Sequence, residues 1–149
     1  VHDMSKPYLD TFDAVFNLFT SFGYFDDEEC NLNTIKSIKA ELNDYGFGVI
    51  DFMNVNYIIE NLVSENTKTV DGIDFLQKRS VKGGYIIKDI SFNVDGEQYE
   101  FQERVKAFTL KDFEMLFEKA GVYLLDVFGD YKLHPYHAKT SERLIMIFK

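Results

Sequence analysis

The chain has 149 residues, 46% hydrophobic and 28% charged, which reads as one soluble globular domain able to bury a core. Its formal charge of −9 argues against a protein that tracks nucleic-acid phosphates or binds an anionic membrane. A single cysteine, Cys30, excludes an intrachain disulfide and fits a reducing, cytoplasmic setting, and no apolar run reaches the roughly 18 residues of a membrane span.

Residues 1–11 (VHDMSKPYLDT) read as a loop broken by Pro7. Phe12–Phe19 is the first strand, and its near-continuous apolar run predicts a strand covered on both faces. A loop of small and aromatic residues follows, Thr20 to Phe25, where an open α/β sheet binds its ligands. Asp26–Glu29 favour a helix start, and Leu32, Ile35, Ile38 and Leu42 form one buried face ending near Tyr45–Gly46. Phe47–Phe52 is a second buried-type strand, then a short helix places Val55, Ile58, Ile59 and Leu62 on one face. Strand, helix, strand, helix with short links predicts parallel strands and crossover helices.

The pattern changes at Ser64–Gly72, a polar linker. From Ile73 to Phe108 the reading is a three-stranded meander turning at Gly83–Gly84 and Asp95–Gly96. Ile86, Ile90, Phe92 and Val94 share a face, as do Tyr99, Phe101 and Val105, so one side of this lobe is apolar and the other wet. Thr109 with Asp112 forms a capping box, and Leu110, Phe113, Leu116, Phe117 and Ala120 line a helix that Gly121 ends. Val122–Phe128 and Arg143–Phe148 are strands joined without a helix, which makes them antiparallel neighbours. Residues 1–63 and 109–149 form the core on this reading, and 64–108 the inserted lobe.

In order along the chain, Asp3–Met4, FDAVFNLFTSFGYF at 12–25, FGVIDFMN at 47–54, FQERVKAFT at 101–109, the AG at 120–121, FGDY at 128–131 and SERLIMIFK at 141–149 resemble the later part of a class I S-adenosylmethionine-dependent methyltransferase. The resemblance implies an α/β fold, a partial Rossmann-like sheet holding core strands four to seven with a small antiparallel β lobe inserted. In that family the strand order is 3-2-1-4-5-7-6. The glycine-rich loop after strand one and the ribose-binding acid after strand two have no counterpart in this sequence.

The resemblance also implies roles. Asp3 and Met4 match the position that reads the adenine ring, where a carboxylate accepts from the amino group. Asn17, Leu18 and Phe19 match the segment under the transferable methyl, where carbonyls and ring faces suit a sulfonium cation. Ser21, Tyr24 and Phe25 extend the pocket, with at least one of Phe19, Phe22 and Phe25 simply core. Asn54 is either a substrate contact or a helix cap. Arg104, with Glu103, either orients a polar substrate or belongs to a solvated sheet face. Tyr131 and His134 are candidate general bases. His134 and His137 lack a third ligand, so no metal is assigned.

The expected activity is methyl transfer from S-adenosylmethionine to a small-molecule acceptor, by a fragment lacking the glycine-rich cofactor loop. Transfer of this kind needs alignment more than acid–base strength. The alternative is a non-catalytic binding or dimerisation module on a partial methyltransferase fold. A glycine-rich strand–loop–helix upstream in the same reading frame separates the two. Either way the expected partners are a small molecule and a second copy of the chain or a separate N-terminal segment, with no nucleic acid and no membrane.

Overall fold

The computed structural model describes residues 2–149. Strand β1 (Phe12–Asn17) pairs in parallel with β2 (Leu42–Met53), with Val15 opposite Gly48 and Asn17 opposite Ile50. Helix α1 (Glu28–Glu41) makes the crossover between them. The Asp27 side chain caps it by accepting from the Glu29 N–H at 3.0 Å, and Glu28 and Glu29 complement the positive end of its dipole.

This helix stops earlier than its apolar spacing predicts. Leu42 is already extended and pairs with Phe12, and a register shift between Phe12 and Ala14 absorbs the residues up to Gly46. A Cβ on Gly46 would lie 2.9 Å from the Phe12 carbonyl oxygen, so only glycine admits β1 so close. Ladder pairing thus overrides the helical period. The buried face of α1 is also more polar than expected: Asn31, Thr34, Ser37 and Glu41 are buried beside Ile35 and Ile38.

Helix α2 (Val55–Glu60) follows β2. Helix α3 (Leu110–Ala120) carries the expected capping box, Thr109 with Asp112, and ends at Gly121 with φ 70°, a conformation that favours glycine. Strand β7 (Leu124–Phe128) starts two residues later than predicted, and β8 (Arg143–Phe148) pairs antiparallel with both β7 and β2. The first sheet therefore runs β1-β2-β8-β7, the order the resemblance implies for strands four, five, seven and six. Its core is aromatic: Phe22, Phe52, Phe108, Phe113, Phe117 and Phe148 are buried, with Phe113 centred 5.2 Å from both Phe22 and Phe52.

The apolar run of β1 is not covered on both faces. β1 is an edge strand here, and Phe12 and Phe16 are exposed.

The second sheet has four strands, ordered β3-β4-β5-β6. The segment predicted as a linker contains β3 (Glu65–Val70), which turns at Asp71–Gly72 into β4 (Ile73–Lys82). The predicted turns at Gly83–Gly84 and Asp95–Gly96 lead into β5 (Tyr85–Val94) and β6 (Glu97–Lys106). Ile86 and Val105, opposite each other, seat this sheet on the aromatic core. Further out the same face overhangs: Phe92 stacks on Tyr99 and Phe101 at 5.3 and 5.9 Å, and both of those residues are exposed.

Candidate functional site

The strand directions gather the loops that matter. Since β1 and β2 are parallel and β8 runs against β2 and β7, the carboxyl ends of β1, β2 and β7 share one sheet edge with the amino end of β8. The loops after Asn17, Met53 and Phe128 emerge there, and β8 begins there at Arg143.

Asp51 is the centre of this edge. Its residue is 1% exposed, two positions before the carboxyl end of β2 and flanked by buried Ile50 and Phe52. Oδ1 accepts from Arg143 Nε at 2.8 Å, and the second guanidinium nitrogen approaches it to 2.7 Å. Oδ2 accepts from the Phe19 N–H at 2.8 Å and from the Tyr131 hydroxyl at 3.0 Å. The Asp51 carbonyl accepts from the Thr20 N–H at 3.0 Å, and Arg143 also donates to Thr20 Oγ1 at 3.1 Å.

These bonds hold an unfavourable backbone. Phe19 and Thr20 have φ of 57° and 61°, left-handed values that cost a side-chain-bearing residue about 1–2 kcal/mol each. Two such residues in succession persist because Asp51 fixes both amides, and strain of this kind clusters at functional sites. The turn throws Phe19 outward, 75% exposed, and turns Phe22 inward to the core.

Tyr131 is largely exposed, and its phenol is pushed above the ordinary tyrosine range by burial and by the bond to Asp51. His134 is not part of this group. Its Nδ1 bonds Asp130 at 2.7 Å, and that bond holds the Asp130 carboxyl below its usual range.

Asn54 stands at the N-cap position of α2, its carbonyl accepting from the Ile58 N–H at 3.0 Å, but its side chain is engaged elsewhere. It is 1% exposed and makes no side-chain cap bond to α2. Its amide donates to the Ala138 and Ser141 carbonyls at 2.9 and 2.7 Å, while its oxygen accepts from the Tyr136 hydroxyl at 3.1 Å. Every polar atom is spent on holding the loop that carries Tyr131. Arg104 is likewise engaged elsewhere: it pairs with Asp26 at 2.8 Å and lies 3.7 Å over the Tyr85 ring, tying the lobe to the approach to α1.

The structure brings Met4, Asn17, Leu18 and Ser21 to one concavity of about 360 Å³. Tyr8, Ile38 and Glu41 are also part of its wall. Asn17 donates to the Met4 sulfur at 3.9 Å, and its own Oδ1 is sealed from solvent with no hydrogen-bond partner. Phe19, Tyr24 and Phe25 do not line it. Asp3 adjoins it in sequence, but its carboxylate is turned to the Ser5 amide and hydroxyl at 3.0 and 2.8 Å, which lowers its pKa. Sequence reasoning missed the Asp51–Arg143 pair. The signal was a charge inside one apolar run, VIDF, and a charge heading another, RLIMIF.

No protein-family model matches the sequence, and no curated protein matches it. Solved structures do. An S-adenosylmethionine-dependent methyltransferase from Clostridium acetobutylicum superposes with a TM-score of 0.85 at 17% identity, over 99% of this chain and 62% of that one. The CcbJ methyltransferase from Streptomyces caelestis gives 0.83 at 13% identity, over 100% and 62%. An amino pentose methyltransferase from Micromonospora echinaspora, solved with S-adenosylmethionine bound, gives 0.71 at 16% identity, over 99% and 62%. The chain thus spans less than two thirds of these neighbours. With the strand order and the inserted sheet, this likeness shows that the chain has the class I S-adenosylmethionine-dependent methyltransferase fold.

Proposed function

We propose that this chain supplies the acceptor-side part of an enzyme that moves a methyl group from S-adenosylmethionine to a small-molecule acceptor. The observation that carries the reading is the left-handed Phe19–Thr20 turn, pinned by Asp51 and Arg143 at the shared carboxyl edge of β1 and β2. The concavity beside it fits one side of the cofactor. Asn17 Oδ1 is a buried acceptor in want of a donor, and Met4 and Leu18 offer apolar contact to a flat ring. When bound, the cofactor supplies an activated methyl on a sulfonium centre. Asn17 would accept from it, the turn would fix its distance from the acceptor, and Tyr131 would face the acceptor.

The neighbours include an amino pentose methyltransferase and a sugar N-methyltransferase, which supports a small polar acceptor carrying an amino group. The division into a core of 1–63 and 109–149 and a lobe of 64–108, a cytoplasmic setting, and assembly through the exposed β1 edge belong to the same proposal.

Calorimetry with S-adenosylhomocysteine tests it. The chain alone should bind weakly. A version extended at its N-terminus with a glycine-rich strand–loop–helix should bind well, and Asn17→Ala should weaken that binding by about 0.5–1.5 kcal/mol, one hydrogen bond's worth. An extended, folded version that fails to bind would overturn the reading.

A further inference from the structure

We infer that the cavity between α2 and the second sheet binds an acidic group of the methyl acceptor, a carboxylate or a phosphate, through Arg79. This rests on the methyltransferase reading above and gives its acceptor a chemical class.

Acids outnumber bases in this chain by 25 to 16, so an arginine left without an acid is an exception to be explained. Arg104 pairs with Asp26, and Arg143 with Asp51. Arg79, the remaining arginine, pairs with no carboxylate among the described residues. Its half-buried guanidinium is nevertheless held in place. It donates to Asn66 Oδ1, and to Gln77 Oε1 at 2.5 Å. Both acceptors are neutral amides, so they fix the planar fork and leave its charge whole. The rest of the fork finds no acceptor among the described residues. The ladder adds a second charge. Arg79 lies opposite Lys88 on the neighbouring strand, so the two side chains share a face and repel. Glu103 answers Lys88 at 3.2 Å, and the charge of Arg79 stays uncompensated.

Arg79 and Asn66 line a cavity of about 420 Å³. Ile58, Leu62 and Val63 give it apolar surface, Asn61 adds an amide, and no carboxylate is among its lining residues. A few polar groups in an apolar concavity are the make-up of a small-molecule site. An oriented guanidinium there calls for an anion, and its fork meets two oxygens of a carboxylate or a phosphate equally well. The apolar wall calls for a carbon body attached to that anion.

Helix α2 ties this cavity to the reaction edge. Ile58 lies within the helix and Asn61 caps its end, while Asn54 at its start holds the loop that carries Tyr131. The helical rise from Asn54 to Asn61 is about 10 Å. A molecule anchored by its acid at Arg79 therefore reaches the edge with a nucleophile about 10 Å along its body, and the anchor supplies the alignment that methyl transfer needs.

The test is ¹⁵N NMR on the 149-residue chain, following the Arg79 Nε–H and the amides of residues 61–63. Phenyl phosphate and phenylacetate supply the two acids, and phenylacetamide is the neutral control. At least one acid should shift these signals saturably, and phenylacetamide should not. A response to phenyl phosphate alone assigns a phosphate, and one to phenylacetate alone a carboxylate. Arg79→Gln should weaken the binding at least about tenfold, and Arg79→Lys, which keeps the charge, should recover part of it. Equal response to the amide, response to neither acid, or undiminished binding by a folded Arg79→Gln overturns the assignment. The comparison of acids with amide needs no variant, so it decides even if Arg79→Gln misfolds. The calorimetry above judges the methyltransferase reading separately. If the acids fail while the extended version binds S-adenosylhomocysteine, only the acceptor class falls. If the acids bind and the nucleoside does not, the cavity is an anion site whose acceptor role falls with that reading.

Discussion

Arg143→Met should be far more damaging than the loss of an ordinary surface charge. Asp51 is 1% exposed and the Arg143 side chain 20%, so the pair is shielded from water. Removing the guanidinium leaves the carboxylate with two neutral donors, the Phe19 N–H and the Tyr131 hydroxyl. Stranding a buried charge in this way costs about 3–5 kcal/mol. That is a large share of the roughly 5–15 kcal/mol that holds a domain together. With a denaturant slope of about 2 kcal/mol per molar, the urea midpoint should fall by roughly 2 M. Adding Asp51→Asn should recover part of the loss, since no unpaired charge then remains. Urea unfolding followed by circular dichroism and tyrosine fluorescence measures all three variants. A loss below about 1 kcal/mol, the value of an exposed ion pair, would mean that water reaches Asp51 and that the turn is held by something else.

Three further outcomes are expected. The exposed apolar edge of β1 should make the chain self-associate with rising concentration, and Phe16→Lys, which sets a charge on that edge, should suppress this in sedimentation runs; a concentration-independent monomer would show the edge to be inert. Gly48→Ala would set a Cβ 2.5 Å from the Phe148 ring, and thermal unfolding should show a loss of about 1–3 kcal/mol from the overpacked pair, with no loss implying that Phe148 swings clear. The Tyr131 phenol is raised above its ordinary value of 10.0, chiefly by burial and then by Asp51, so the folded state favours its neutral form. The stability it lends is therefore complete below pH 10 and fades as pH climbs from there through the folded value, a loss that urea midpoints should show in the natural chain and not in Tyr131→Phe.

The sequence was most legible where local chemistry decides the backbone. Thr109, Asp112 and Gly121 carry their own capping geometry, and the Gly83–Gly84 and Asp95–Gly96 turns need only the positive φ that glycine allows. It was least legible where a distant partner decides. Leu42 continues a helical period, yet Phe12 draws it into a strand. Residues 65–70 look like a linker because an edge strand beside β4 can be polar; Thr67, Thr69 and Val70 were the only hint. The site divides in the same way. Asn17 and Leu18 were singled out by the resemblance at the end of an apolar strand, and they line one concavity there. The Asp51–Arg143 pair joins residues 92 positions apart, and no spacing rule reaches that far.

The placement of the second sheet bears on how the chain folds. β2 and β8 must meet across most of the sequence, and closing so long a loop is slow when the intervening chain is loose. The strands between them pair only with their neighbours in sequence, through tight turns, so this sheet can form early from local contacts. β3 and β6 are its two outer strands and run in opposite directions. The start of β3 and the end of β6 therefore emerge at the same end, about 14 Å apart at three strand spacings. Once formed, the sheet turns a long floppy connection into a short rigid one. Weakening its hairpins, for example with Gly96→Val, should slow the closure of β8 onto β2 more than it speeds unfolding.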